Sequence, residues 1–175
     1  ALAAMAGITL CHDEAPRFAA SLCARIGGVP RECMHDRALL RRVAAALPNP
    51  LGRALVRAQG GFVLDIPGSA DIWWMGVDVP SDGLSSPSLT QAEQDARAAA
   101  WAFVQRLRQE PGCAQATLVT TGPQLGVRET RHPLARHMIT QAEALRGARS
   151  AMGVARAAWN LERHDQPGRP TVQAI

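Results

Sequence analysis

Two apolar runs, Gly61-Phe-Val-Leu-Asp-Ile66 and Asp71-Ile-Trp-Trp-Met-Gly-Val77, flank the turn-forming tetrapeptide Pro67-Gly68-Ser69-Ala70. This reads as a β-hairpin, and a hairpin commits its two strands to antiparallel pairing. Alternate side chains of a strand face opposite ways, so Trp73 and Trp74 present one indole to each face of the sheet. One is expected in the core and the other at a pocket wall or an interface. Phe18 to Ile26 (stopped by Gly27-Gly28), Ala116 to Thr121 and Leu134 to Ile139 read as further strands. Asp36 caps a helix through Leu39, Leu40, Val43 and Leu47 that Pro48 ends. Residues 78 to 88 form a Pro-, Ser- and Gly-rich loop. Thr90-x-x-Glu93 reads as a capping box that opens a long helix to about Gln109, with Pro111-Gly112 as its stop. Ala92, Ala96, Ala99, Phe103, Val104 and Leu107 make its apolar stripe. Thr140-x-x-Glu143 opens a shorter helix that ends near Gly147. Strands that come in hairpins, apart from the long helices, predict an α+β fold with a mostly antiparallel or mixed sheet and a few helices. A length of 175 residues suits a single domain spanning 1–175, closed by an irregular tail over 165–175.

All 19 basic residues are arginine, and against 15 acidic residues they leave a formal charge of +4. They are scattered along the chain, and Arg41-Arg42 is the only adjacent pair. With three Phe, four Trp and no Tyr, the sequence has no basic stripe interleaved with aromatics, so no nucleic-acid partner is expected. Cys11, Cys23, Cys33 and Cys113 form no C-x-x-C pair, which argues against a zinc ribbon or a thioredoxin motif. Free thiols in a cytoplasmic protein are the expectation. His132 and His137 straddle Pro133 and lack the i,i+4 spacing of a helical metal pair, so no metal site is expected. Ala1 to Leu10 is apolar but short, lacks a basic start and runs into Cys-His-Asp-Glu. It reads as neither a signal peptide nor a membrane span.

Residues 122 to 131, Gly-Pro-Gln-Leu-Gly-Val-Arg-Glu-Thr-Arg, place three charges on a run that reads as a strand. Arg128 and Thr130 then share one face and Glu129 and Arg131 the other, so whichever face is buried carries an arginine inward. A buried guanidinium needs a partner, either a protein carboxylate such as Glu129 or Asp65, or a ligand. This decapeptide, with Ile139-Thr140 and Leu145-x-Gly147-x-Arg149 after it, resembles the central region of the FAD-dependent oxidoreductases of the glutathione-reductase-like superfamily, in the xanthan-lyase-like subgroup. Ala1-Leu2-Ala3-Ala4-Met5-Ala6-Gly7 is similar to the segment after that family's Gly-Asp flavin motif. Ser88-Leu89-Thr90-x-Ala92-Glu93-x-x-x-Arg97 is similar to the start of its long helix, and Pro111-Gly112 to the turn after it. Arg163-His164-Asp165 is similar to its Ile-His-Asp stretch.

The resemblance implies FAD as cofactor and a small organic substrate, an acidic one if the arginines meet it. It implies that Arg128 and Arg131 lie near the flavin and the substrate, where a guanidinium forks onto a carboxylate or a cofactor oxygen. It also implies that Gly126 and Glu129 contact the cofactor, and that His164 shuttles protons beside the flavin. From the residues alone, an internal ion pair for the arginines and a surface position for His164 stay open.

The departures carry equal weight. No G-x-G-x-x-G follows a first strand, and the isolated pairs Gly27-Gly28 and Gly60-Gly61 do not replace it. The chain is therefore expected to be the substrate-domain part of such an enzyme, without its Rossmann half, and not to hold FAD alone. The expected partners are the FAD-binding segments or another chain carrying them, the small-molecule substrate and a second copy in a homo-oligomer; no membrane is expected. An exposed apolar face bordered by Ala1 to Leu10 and Val172 to Ile175 is expected where those segments dock. The competing expectation is a non-catalytic subunit or binding module that keeps the fold and lacks the cofactor.

Overall fold

The computed structural model describes residues 2–11, 19–48, 55–128, 130–151, 153, 155, 161–163 and 171–173. Its helices are α1 (Leu2–Met5), α2 (Arg31–His35), α3 (Arg37–Ala45), α4 (Ser86–Leu107) and α5 (Gln141–Leu145). Its strands are β1 (Leu10–Cys11), β2 (Ala20–Gly27), β3 (Phe62–Asp65), β4 (Ile72–Val79), β5 (Thr117–Thr121), β6 (His132–Pro133), β7 (Leu161–Arg163) and β8 (Thr171–Gln173). The central sheet has four strands in the order β3-β4-β2-β5, while β1 pairs with β6 and β7 with β8. Every one of these pairings is antiparallel. The fold is α+β, as the sequence predicts. Among the described residues no helix is long and apolar enough to cross a membrane.

The predicted hairpin is β3–β4, with Phe62 opposite Met75 and Leu64 opposite Trp73. Trp74 is the buried indole and Trp73 the exposed one. The Trp74 ring stacks on Phe103 of α4, with centroids 4.0 Å apart and planes 17° from parallel. Its indole N–H donates to the Gly60 carbonyl at 2.7 Å, so a buried donor is satisfied. The ring lies along its own strand, over Gly76, where a Cβ would collide with it. Gly76 is also the extra residue of a β-bulge, since Leu22 pairs with Val77 and Cys23 with Met75. A bulge shifts the strand's alternation by one residue. Trp74, Val77 and Val79 therefore all enter the core, while Met75 and Asp78 turn to the other face.

Helix α4 lies across β4, β2 and β5, and α3 packs against α4. Ala92, Ala96, Ala100, Phe103, Val104 and Leu107 bury the face of α4 that meets the sheet. Small alanines over the first turns let the helix approach closely, and the larger residues fill the space beside Trp74. Asp36 caps α3 as predicted, accepting from the Ala38 and Leu39 amides at 2.8 and 3.1 Å. Thr140 and Glu143 form the predicted capping box of α5.

Three expectations differ. The Thr90 box does not open α4, which starts at Ser86 with Ser85 as its cap and a proline in the first turn. A serine cap followed by a first-turn proline is the stronger start, and it leaves Glu93 in the helix body with its side chain free for other work. Leu134 to Ile139 is not a strand: pairing stops after Pro133, and Leu134, Met138 and Ile139 are exposed, so their apolar character is not matched by burial. The decapeptide is not a continuous strand either. Its first residue extends the β5 edge, with the Gly122 amide donating to the Cys23 carbonyl, then Pro123, which has no N–H, leaves the ladder. The chain returns for a single bridge between Gly126 and Ser21.

Gly76→Ala is expected to push Trp74 off its seat against Phe103 and to destabilise the fold by about 1–3 kcal/mol, the usual cost of overpacking. A denaturant midpoint equal to that of the wild type would show that the indole has room that this packing denies it.

Candidate functional site

The two faces of the central sheet differ. Ala20, Leu22, Ala24 and Ile26 of β2 enter the core, while Ser21, Cys23 and Arg25 alternate onto the opposite face. That face is open. It carries Phe62 and Leu64 of β3 and Trp73 of β4, all exposed, together with half-buried Met75. Cross-strand register places Cys23 beside Met75 and Arg25 beside Trp73. Arg25 is held by Asp71, with Nε donating to Oδ2 at 2.7 Å.

At one end of the open face lies a charged cluster. Asp78 is 1 % exposed. Arg57 meets it with two prongs, Nε to Oδ2 at 2.9 Å and Nη2 to Oδ1 at 3.0 Å. The segment bearing Arg57 reaches this point because Val56 bridges to Val77 and the Arg57 amide donates to the Gly76 carbonyl at 2.8 Å. The Ser21 hydroxyl donates to Asp78 Oδ1 at 2.6 Å. The Ser21 hydroxyl oxygen in turn accepts from Arg128 Nη2 at 2.5 Å. Ser21 thus relays between a buried carboxylate and an exposed guanidinium. Burial pushes the Asp78 carboxyl up, but the hydrogen bonds from Arg57 and Ser21 and the charges of Arg57 and Arg128 outweigh it, and its pKa lies below the ordinary aspartate value. Burial raises the Cys23 thiol, and the charges of Arg57 and Arg128 draw it back only in part. Asp78 is matched by the fork from Arg57, so the Arg57–Asp78–Arg128 trio carries a net positive charge at neutral pH.

Side chains of α4 fix the decapeptide in place. Glu93 Oε1 accepts from the Leu125 amide at 2.7 Å. Arg97 is paired with Glu93 at 2.9 Å, donates to the Gly122 and Pro123 carbonyls at 3.3 Å each, and also reaches the Thr121 hydroxyl. Gly126 and Ser21 exchange both backbone hydrogen bonds, at 2.8 and 3.1 Å. Arg128 is therefore delivered to Ser21 from a segment anchored on both sides.

The structure brings Gly126 and Arg128 to this cluster. Arg131 is exposed and stands next to β6, whose partner is β1, so it is tied to a different sheet. Glu129 and His164 lie outside the described residues. The expectation that a decapeptide arginine is buried does not hold: Arg128 and Arg131 are both exposed, and the guanidinium that goes inward is Arg57, 12 % exposed at its side chain. The physical reason is the break after Gly122, which removes the strand alternation that would have aimed one of them inward. Sequence reasoning missed Arg57, Asp78 and Ser21. One signal was there: Asp78 is a lone acid between Val77 and Val79 at the end of an apolar strand. Arg57 had none, because its neighbours show no period. Among the described residues no group of His, Cys, Asp or Glu side chains could hold a metal ion.

A family model described as FAD dependent oxidoreductase matches residues 2–174. The chain belongs to the FAD-dependent oxidoreductase family. Membership supports a flavoprotein oxidoreductase role and names FAD as the family's cofactor. No curated protein and no solved structure matches the chain. The residues described do not fit the nucleotide half of that cofactor. A pyrophosphate cradle needs a glycine-rich turn from a strand into a helix N-terminus whose backbone amides are open to it. Among the described residues two glycine-bearing connections lead from a strand into a helix, Gly27-Gly28 between β2 and α2 and Gly83 between β4 and α4. The amides leading into α4 are taken, since Asp82 Oδ1 accepts from the Leu84 and Ser85 amides at 2.8 and 3.0 Å and the Ser85 hydroxyl accepts from the Ser88 amide. The Gly27-Gly28 turn is filled as well. A Cβ on Gly27 would meet Asp71, and one on Gly28 would meet the Gln115 carbonyl, so no phosphate has room there.

Asp78→Ala leaves Arg57 as a largely buried charge without its carboxylate and is expected to cost about 3–5 kcal/mol at neutral pH. The folded state holds the Asp78 proton less tightly than the unfolded chain does. The stabilisation is therefore fully present above the ordinary value of 3.8 and is lost as pH falls through the lower folded value. Thermal unfolding of both proteins between about pH 7 and about pH 3 checks this: the gap between them should close towards the acid end. A gap that stays constant would mean that the charge on Asp78 contributes nothing.

Proposed function

We propose that this chain is the substrate-domain portion of an FAD-dependent oxidoreductase of the xanthan-lyase-like subgroup, whose open sheet face lies beside the flavin ring and whose Arg128 orients a small acidic organic substrate. One observation carries the reading: the sheet is sealed on one face by α4 and left open and apolar on the other, with a surplus guanidinium at the edge of the open face. An apolar wall excludes water from a reacting ring, and an arginine at its rim forks onto a carboxylate with two parallel hydrogen bonds. The Ser21 hydroxyl and the Asp78 charge behind it hold Arg128 in one place, so little ordering is left for the moment of binding. Arg131, next to a different sheet, is proposed as a second, outer contact for an anionic group. Gly126 and Glu129 as cofactor contacts and His164 as a proton carrier belong to the same proposal.

The nucleotide half of FAD is assigned to partner segments, on this chain's own polypeptide or another. Exposed apolar side chains support such a partner. Leu2, Met5 and Ile8 lie before β1, and Leu134, Met138 and Ile139 lie after β6, the strand that pairs with β1. The antiparallel sheets also favour a second reading, a cofactor-free module on the same fold. Flavin absorbance distinguishes the two. On the first reading the protein with all its segments is yellow and the 175-residue chain alone does not bind FAD one to one. On the second, neither binds it.

Arg128→Lys keeps the charge and loses the planar fork, and is expected to lower kcat/KM roughly tenfold to a thousandfold in the assembled enzyme. Its thermal midpoint should stay near the wild type's, because Arg128 is exposed and Asp78 keeps Arg57. A clear drop in thermal midpoint with unchanged turnover would make Arg128 a structural residue and remove the proposed substrate contact.

A further inference from the structure

We propose that Cys33 and Cys113 form a reversible disulfide by exchange with a low-molecular-weight disulfide of the glutathione class. The two thiols come from distant parts of the chain. Cys33 lies in α2, and Cys113 follows the turn that ends α4. Folding brings them together: Cys113 lies in the apolar cluster of the core and Cys33 packs against that same cluster, and both are free thiols. A Cβ on neighbouring Gly112 would stand 3.9 Å from the Cys33 sulfur, so that sulfur rests directly on the turn. Cys113 is fully buried in the core, and Cys33 packs against the core while staying partly exposed.

This arrangement divides the roles. A small disulfide, RSSR, reaches only the partly exposed thiol. The Cys33 thiolate attacks one sulfur of RSSR, forming a Cys33–SR bond and releasing RS⁻, which takes up the proton that Cys33 lost. Cys113 then gives up its proton and attacks the Cys33 sulfur, forming the Cys33–Cys113 bond and releasing the second RS⁻, which takes that proton. Two thiols are oxidised and one RSSR becomes two RSH, so electrons and protons balance. Burial, the neighbouring Cys33 thiol and the Glu110 charge hold the Cys113 thiol up at about 11. The second step is therefore the slow one, and it should quicken by about tenfold per pH unit below that value, because the thiolate is the attacking form. The bond ties α2 to the far end of α4, on the core side of the sheet and away from the open face.

The test uses the intact protein with glutathione disulfide as the probe, followed by alkylation under denaturing conditions and trypsin. Cleavage after arginine places the four cysteines on separate peptides, with Cys33 on Glu32–Arg37 and Cys113 on Gln109–Arg128. The expected product is those two peptides joined, with no glutathione retained, and separated again by dithiothreitol. Cys113→Ala should instead keep glutathione on Cys33. A stable glutathione adduct on Cys33 of the wild-type protein, with Cys113 still open to alkylation, would overturn the proposal. Recovery of both peptides unmodified would overturn it as well.

Discussion

The contact between Trp74 and Phe103 joins the sheet to its helix, and most of the architecture follows from it. The indole must lie flat to stack on α4, and it can lie flat only where its own strand offers no side chain beneath it. Gly76 supplies that gap. The same glycine is the extra residue of the β4 bulge. One local device therefore seats the largest core side chain and shifts the alternation of the strand beyond it. Without the shift, Val77 would face away from the core and Asp78 would point into it, beside apolar side chains that cannot solvate a carboxylate. With it, Val77 joins the core and Asp78 meets Arg57 and Ser21.

That switch explains how a buried aspartate is tolerated. A carboxylate removed from water costs several kcal/mol unless its lone pairs are filled. Here a forked guanidinium and a hydroxyl fill them, and a second guanidinium stands behind the hydroxyl. The arrangement has a consequence for recognition. One carboxylate cannot neutralise two arginines, so the outer one, Arg128, keeps charge available at the edge of the open face. The position of Arg128 depends in turn on α4, because Glu93 and Arg97 tie down the turn that delivers it. The helix thus acts on both faces. Its apolar stripe closes the core, and its polar edge shapes the decapeptide.

Family membership and the described architecture fit together by division of labour. On the proposed reading the sheet offers a wall and a charge, which suit a substrate and a flat ring, while both glycine-bearing turns that lead from a strand into a helix among the described residues are already occupied. In flavoenzymes the cofactor carries the redox chemistry and the protein supplies position and electrostatics. On the proposed reading, Arg128 and the open sheet face do work of the second kind.

Much of this was legible in the sequence, for local reasons. The β3–β4 hairpin, the Asp36 cap, the Thr140–Glu143 box and the split between Trp73 and Trp74 depend on neighbours a few residues away, where turn chemistry and period act. The length of α4 was legible too, although Ser85 and not Thr90 starts it, because two competing caps cannot be ranked without seeing what Glu93 does. The decapeptide identified the family and placed Arg128 among the candidate residues. Its conformation was not legible, since a strand needs a partner edge and the partner, Ser21, is 105 residues from Gly126. Arg57, Asp78 and Ser21 come together only through the register of three chain segments and the bulge at Gly76. Periodicity carries no information about which strands meet or where one slips by a residue. Local turn and cap chemistry determined the elements, and the resemblance carried by the decapeptide pointed to the family; the pairing of distant edges decided which charges were buried together and which one was left facing out.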